Sequence, residues 1–212
     1  MNQTDEEKYW NGRYTAVGDD YLFGTAPNKF VTRQAEHFKP GMSVLSVADG
    51  EGRNSVWLAE EGLSVTALEF SPIALHKAKR LAVERHVEVD FRLADVLKWE
   101  WPTAAYDVVL AVFIQFASPE QRALLFSAMK NALKPGGLLL IHGYTPKQLE
   151  YKTGGPSNID YLYTEALLRE AFSDLEFLEL REYEDVLKEG SGSQRHHSGR
   201  SALVDLVAKK PG

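Results

Sequence analysis

Two rhythms of apolar and polar positions alternate along this chain. Short runs rich in Val, Leu and Ile recur, separated by stretches whose apolar residues fall three or four apart. "MSVLSVA" (42–48) reads as a buried strand, and "RNSVWLAEEG" (53–62) as the helix after it, closed by Gly62. "SVTALEF" (64–70) is a second strand. "SPIALHKAKRLAVERH" (71–86) is a helix that opens on Ser71 as N-cap and Pro72 at the first helical position. "VEVDFRLAD" (87–95) alternates like a third strand, and "YDVVLAVFIQF" (106–116) is a continuous apolar run, as for a strand buried on both faces. "SPEQRALLFSAMKNALKPGG" (118–137) repeats the Ser-Pro start with Gln121 at the capping-box position, and "LLLIHGY" (138–144) is a fifth strand.

This β-α repeat predicts a mostly parallel sheet with helices on both faces and right-handed crossovers. After Tyr144 the rhythm changes. A turn-rich stretch leads to a short helix near 164–171 and two last strands, 175–187 and 201–210, seven in all. The Gly/Ser-rich connection between those two is too short for a crossover helix, so they are expected to be antiparallel neighbours. No repeat or linker divides the chain, which predicts one domain over residues 1–212.

Composition narrows the function. The 212 residues, 44% hydrophobic and 25% charged, suit a globular protein. A net charge of −6 with scattered Lys and Arg argues against a nucleic-acid partner. The absence of cysteine excludes disulfides, thiol nucleophiles and cysteine-ligated metals. The polar start is wrong for a signal peptide, and no apolar run is long enough to span a bilayer, so no membrane partner and a cytoplasmic location are expected.

The candidate site is the turn "SVADGEGRNS" (46–55), directly after the first strand. In an open parallel sheet ligands bind at the carboxyl ends of the strands, and Gly50 and Gly52 let the backbone pass close under one. A dinucleotide fingerprint would place Ser55 at its third glycine and a pyrophosphate among Asp49 and Glu51, where like charges repel. A Walker-type loop is excluded because no Gly-Lys-Ser/Thr follows. A cationic, phosphate-free ligand such as S-adenosylmethionine fits better. Glu69, 17 residues after Gly52 at the end of the second strand, suits the ribose hydroxyls, and Asp95 ends the third strand where adenine would lie.

With these residues in place, the chain resembles the class I S-adenosylmethionine-dependent methyltransferases from about residue 40 to the end. That family's first motif runs acid-x-Gly-x-Gly-x-Gly; here Ser46 stands for the acid and Ala48 for the first glycine. Asp49 or Glu51 then becomes the expected partner of the donor's ammonium. Glu69 and Asp95 match the family's ribose and adenine positions, and "LKPGGLLLI" its late turn. "GEGRNSVWLAEEGLSVTALEFS" is similar to the small bacterial tellurite-resistance and thiopurine-type methyltransferases, whose loop continues Gly-Arg-Asn, and so are "YWNGRYTAVGDDYLFGTAPNKFV" and "YKTGGP".

The resemblance implies a Rossmann-like α/β fold with a lid segment (1–38), a cofactor-binding half (39–144) and an acceptor-side part (145–212). The implied cofactor contacts are Asp49, Gly50, Glu51, Gly52 and Asn54, then Glu69 with Phe70, Asp95 with Val96, and Phe113. In the lid, Trp10, Arg13, Tyr14, Tyr21 and Phe23 form an aromatic, basic cluster: the rings can face a sulfonium, and Arg13 can reach a carboxylate. Trp10 and Arg13 are assigned to the cofactor and Tyr21 to the acceptor. Gln115, Tyr144, Tyr151, His196 and His197 are further acceptor candidates, and His142 and Gln115 the only catalytic ones. No metal site is expected.

Methyl transfer from a sulfonium is an in-line displacement, so alignment and exclusion of water carry most of the catalysis. The expected reaction methylates a small molecule (a thiol, a metalloid oxyanion or a small carboxylate) and leaves S-adenosylhomocysteine. The alternatives are a protein or RNA methyltransferase and a non-catalytic donor-binding protein. A monomer or weak homodimer is expected.

Overall fold

The computed structural model describes residues 3–188 and 198–212. The chain opens with α1 (Gln3–Ala16) and α2 (Lys29–Arg33), ahead of the alternating part. Then come β1 (Ser43–Val47), α3 (Arg53–Glu60), β2 (Ser64–Glu69), α4 (Pro72–Glu84), β3 (Asp90–Leu93) and β4 (Tyr106–Val112). They are followed by α5 (Pro119–Ala132), β5 (Leu133–Tyr144), α6 (Gln148–Tyr151), α7 (Glu165–Ala171), β6 (Glu176–Lys188) and β7 (Ser198–Lys209).

The seven strands form one sheet in the order β3-β2-β1-β4-β5-β7-β6. The first five are parallel; β7 runs antiparallel between β5 and β6. The predicted antiparallel closing pair is therefore present, with the last strand inserted inside the edge. This is the Rossmann-like sheet that the β-α rhythm pointed to.

Strand residues of opposite parity feed two cores. Leu45, Val109, Leu139 and Ile141 pack with Phe126 and Met129 of α5 and Leu168 of α7. Val44, Val65, Leu110 and Leu140 face the other way, onto Phe30 and Val31 of α2 and Leu58 of α3. Each such fully buried side chain contributes about 1.5–3 kcal/mol. The start signals work as read: Ser71 Oγ accepts the N–H of Ala74, and Ser118 and Gln121 form a reciprocal capping box.

Several boundaries differ from expectation. β4 stops at Val112, short of 116, because Phe113 takes a left-handed φ of 56° and turns the chain. β3 keeps only four residues, as the exposed edge strand. The helix expected to stop at "KPGG" ends just before it, at Ala132; Leu133 pairs with Tyr106, and "KPGG" itself is drawn into β5 past a register shift. Helix α1 is mostly polar, with only Trp10 and Tyr14 set into an apolar cluster, and gave no periodic signal. Among the described residues no helix is long and apolar enough to cross a membrane. His196 and His197 lie outside the described residues.

Candidate functional site

A cavity of about 580 Å³ lies at the carboxyl ends of β1, β2, β4 and β5. Its floor is the turn from Ser46 to Glu51, its flank Glu69 and Phe70, and its roof α1 with Phe23. Phe113, Phe116, Tyr144 and Tyr161 wall the far side.

The floor repeats one backbone trick three times. Ala48, Gly50 and Gly52 have φ of 51°, 67° and 88°, so every second residue is left-handed. Ala48 thus adopts the glycine conformation without being glycine. Asp49, between two of them, accepts the hydroxyls of Ser46 at 2.6 Å and Ser55 at 2.5 Å. Burial raises its pKa, and those hydroxyl hydrogen bonds pull it back.

Glu69 joins the floor to the flank. Its carboxylate accepts the N–H groups of Gly50 and Ser71, both at 2.8 Å. Burial pushes its pKa up to about 7, and the charge of Asp49 adds to the rise.

Glu51 is spent on fastening the roof. It accepts the N–H of Leu22 at 2.7 Å and pairs with buried Lys77 at 3.1 Å. Lys77 also donates to the carbonyls of Tyr14, in the last turn of α1, and Asp20. In the roof, Trp10 stacks on Tyr14, and the Arg13 guanidinium lies 4.9 Å from the Trp10 centroid and 5.7 Å from that of Phe23. Tyr14 is buried beside Gly50; burial, with Glu69 and Glu51 nearby, raises its pKa well above the phenol range.

Of the sequence candidates, the structure brings Trp10, Arg13, Asp49, Gly50, Glu51 and Asn54 to the cavity, together with Glu69, Phe70, Phe113, Gln115 and Tyr144. Gly52 lies beneath the floor against Ala78. Asp95 and Val96 are not brought there. The Asp95 carboxylate turns to the N–H of Leu97 and to Lys98, lining a separate depression, while the Val96 side chain packs in the core. Tyr21 packs behind α4 with its hydroxyl on the Lys77 carbonyl, and Tyr151 lies under Arg200. Gln115 lines the cavity, yet its amide is occupied by Tyr144 N–H and by the carbonyls of Tyr144 and Tyr161. His142 is buried behind Phe113, its Nδ1 2.6 Å from Asp205.

Sequence reasoning missed Lys77 and Asp205. The signal for Asp205 was a single acid inside the apolar run "SALVDLVA"; Lys77 gave none, being one lysine among several on α4. Among the described residues no group of three or more His, Asp or Glu side chains is placed to hold a metal ion.

The lining suits a cationic nucleoside better than a dinucleotide. Three carboxylates, Asp49, Glu51 and Glu69, meet around the floor where a pyrophosphate would need donors. Aromatic faces and two guanidinia, Arg13 and Arg53, meet at the roof around Phe23, which suits a sulfonium and a carboxylate tail.

A family model described as a methyltransferase domain matches residues 44–137. The span runs from β1 to the start of β5 and contains the whole cavity floor. Over this span the chain is similar to methyltransferase domains. It is 33% identical over 131 residues to a demethylmenaquinone methyltransferase of Renibacterium salmoninarum, covering 61% of this chain and 50% of that protein. The chain thus spans about half the length of that curated relative. Among solved structures it is similar to TehB from Haemophilus influenzae, with a TM-score of 0.71 at 22% identity, covering 97% of this chain and 67% of that one. The N-methyltransferase NodS from Bradyrhizobium japonicum, solved with S-adenosylhomocysteine, gives 0.68 at 12%, covering 97% and 98%. At these identities the two structures show the fold alone.

Set beside the class I methyltransferase motif, the first turn differs in sequence. Ser46 stands where the family's acid stands, and its hydroxyl binds Asp49, three residues on. Ala48 stands at the first-glycine position with a left-handed φ of 51°.

Proposed function

We propose that this chain transfers a methyl group from S-adenosylmethionine to a small, flat, largely apolar acceptor bearing a thiol or hydroxyl. The observation that carries the reading is the cavity's division: carboxylates and a glycine turn on one side, aromatic rings on the other.

On the donor side, Glu69 is the acceptor for the ribose hydroxyls, Arg13 the partner of the amino-acid carboxylate, and Trp10, Tyr14 and Phe70 the aromatic surroundings. Asp49 holds the turn in shape through Ser46 and Ser55. The bound donor supplies an electrophilic methyl carbon. Helix α1, fastened by Glu51 and Lys77, serves as the lid that excludes water.

The other side argues the acceptor class. Phe113, Phe116, Tyr144, Pro156, Asn158 and Tyr161 line it, while the cavity's two arginines, Arg13 and Arg53, gather at Phe23 in the roof. A metalloid oxyanion or small carboxylate would want a cation there. An aromatic thiol or phenol would stack instead. Relatives named for demethylmenaquinone and for ubiquinone biosynthesis point the same way, toward small molecules.

The test has two arms. S-adenosylhomocysteine should raise the melting temperature and NAD should not; the reverse overturns the donor assignment. Tritiated S-adenosylmethionine is then offered with thiophenols, catechols, tellurite and small carboxylates, and separately with cell extract. Label in an aromatic thiol or phenol supports the reading. Label in oxyanions, carboxylates or macromolecules, or in nothing, overturns it.

A further inference from the structure

The ring of His142 is 2% exposed, and its Nε2 is a buried polar atom with no hydrogen-bond partner. Such an atom costs about 1–3 kcal/mol and calls for a reason. Its other nitrogen is tightly placed. Nδ1 lies 2.6 Å from Asp205 Oδ1, across the β5–β7 pair in which the two residues are register partners. Asp205 is fully buried and pairs with Arg33 at 2.6 Å and Arg181 at 3.5 Å, with the Tyr183 hydroxyl at 3.2 Å. Arg181 in turn pairs with Glu179. Phe30 stacks on the imidazole from α2 and Phe113 meets it edge-on; neither carries charge.

A carboxylate oxygen at that distance accepts the proton carried on Nδ1, and the tautomer it selects presents its lone pair at Nε2. This is a base with its orienting partner built in. The cavity is one ring away. Val112, the register partner of His142, lines the cavity, as does Tyr144, two residues on and on the same face of β5. Between base and cavity stands Phe113, a bulky residue held at φ 56° with its N–H on the His142 carbonyl at 2.8 Å. Left-handed backbone at such a residue is strained, and strain of this kind gathers at gates and active sites.

We propose that His142 is the general base for the acceptor, oriented by Asp205 and reached when Phe113 swings aside. The inference rests on the reading above, that an acceptor with an O–H or S–H enters the aromatic side of the cavity. In the step, the acceptor's O–H or S–H bond breaks and its electron pair stays on the acceptor atom. The proton bonds to Nε2, and the imidazolium so formed keeps its Nδ1–H on Asp205.

Two measurements on the full chain saturated with S-adenosylhomocysteine test this. Long-range proton–nitrogen NMR of wild-type protein reads the His142 tautomer directly; an unprotonated Nε2 is expected, and a protonated Nε2 with bare Nδ1 overturns the inference without any variant. The second uses 4-nitrophenol, whose phenolate absorbs visibly. Bound to wild type it should be roughly tenfold richer in phenolate than the free probe at the same pH. His142→Gln should abolish the enrichment and Asp205→Asn should reduce it. Equal enrichment in wild type and His142→Gln, or none in wild type, overturns the inference. If S-adenosylhomocysteine stabilises the protein and the tautomer is still wrong, the base fails while the donor assignment stands.

Discussion

Glu69 accepts the N–H of Gly50 at 2.8 Å, so the last residue of β2 and the glycine turn after β1 share one buried carboxylate. The same group accepts the N–H of Ser71, which caps α4. Three elements thus meet on one side chain, at the place where ribose hydroxyls are expected to add further donors. Those donors favour the charged form and should lower a pKa that burial has raised to about 7.

Donor binding should therefore release protons. Below about pH 7 an increasing share of Glu69 is protonated in the free protein, and the ribose needs it ionised. Affinity for S-adenosylhomocysteine should rise as pH approaches 7 and level off above it. Calorimetry in two buffers of different ionisation enthalpy reads the proton release directly. Glu69→Gln should abolish the release, and a wild-type protein that releases none would refute the assignment.

Stability without ligand carries the opposite signature. The folded pKa of Glu69, about 7, lies above its ordinary 4.5, so the folded state binds the extra proton between those values. The contribution of Glu69 to stability is present below 4.5 and is lost as pH rises through about 7. Urea unfolding of wild type and Glu69→Gln across this window should show the difference turning against wild type as pH rises. A pH-independent difference would mean that Glu69 titrates normally.

Arg13 tests how the donor's tail is held. Its guanidinium sits over the Trp10 and Phe23 rings within the cavity. Arg13→Met keeps most of the apolar stem and removes the charge. A lost charge-assisted hydrogen bond is worth about 1.5–3 kcal/mol, roughly ten- to a hundredfold in affinity for S-adenosylhomocysteine. Adenosine lacks the carboxylate, and its affinity should stay within about twofold, well under 1 kcal/mol. An equal loss for both ligands would place Arg13 elsewhere.

The pair that anchors the roof is open to a double-mutant cycle. Lys77 and Glu51 are both buried, and removing one partner leaves the other charge without compensation. Lys77→Met should cost about 3–5 kcal/mol, with Lys77→Met/Glu51→Gln recovering part of it. The Lys77 ammonium also closes the end of α1, so proteolysis should cut the single variant first between residues 14 and 22. Cutting elsewhere first would detach Lys77 from that role.

Much of this was legible in the chain. Alternating apolar runs gave the β-α order, and Ser71-Pro72 and Ser118-Pro119 marked helix starts because the caps act within four residues. The glycine turn and Glu69 could be read as a site because the fold places strand ends together. What could not be read depends on distant contacts. Asp205 meets His142 across 63 residues, and nothing local to either announces the other. The orientation of Asp95 was set by Leu97 and Lys98, neighbours whose competition for the carboxylate spacing alone does not reveal. Helix α1 is placed by Lys77 on the Tyr14 carbonyl and by two aromatic rings, Trp10 and Tyr14, too few to give an apolar period, so periodicity was silent.

The first turn makes the sharpest prediction, because two neighbouring positions should respond in opposite directions. Gly52 has φ 88°, and a Cβ there would lie 2.8 Å from the Ala78 Cβ where α3 crosses α4. Gly52→Ala combines a left-handed backbone penalty of about 1–2 kcal/mol with overpacking of about 1–3 kcal/mol. It should destabilise the fold by several kcal/mol. Ala48 has φ 51° and already carries the backbone penalty. Ala48→Gly should remove it, less about 0.4–1 kcal/mol for the greater freedom of glycine in the unfolded chain. The net effect lies between about 0 and 1.6 kcal/mol in favour of glycine, with affinity for S-adenosylhomocysteine unchanged. Urea titration of the two variants decides. Should Ala48→Gly destabilise, the left-handed turn at Ala48 is not what the chain adopts in solution, and the parallel between this turn and the family's glycine motif loses its structural basis.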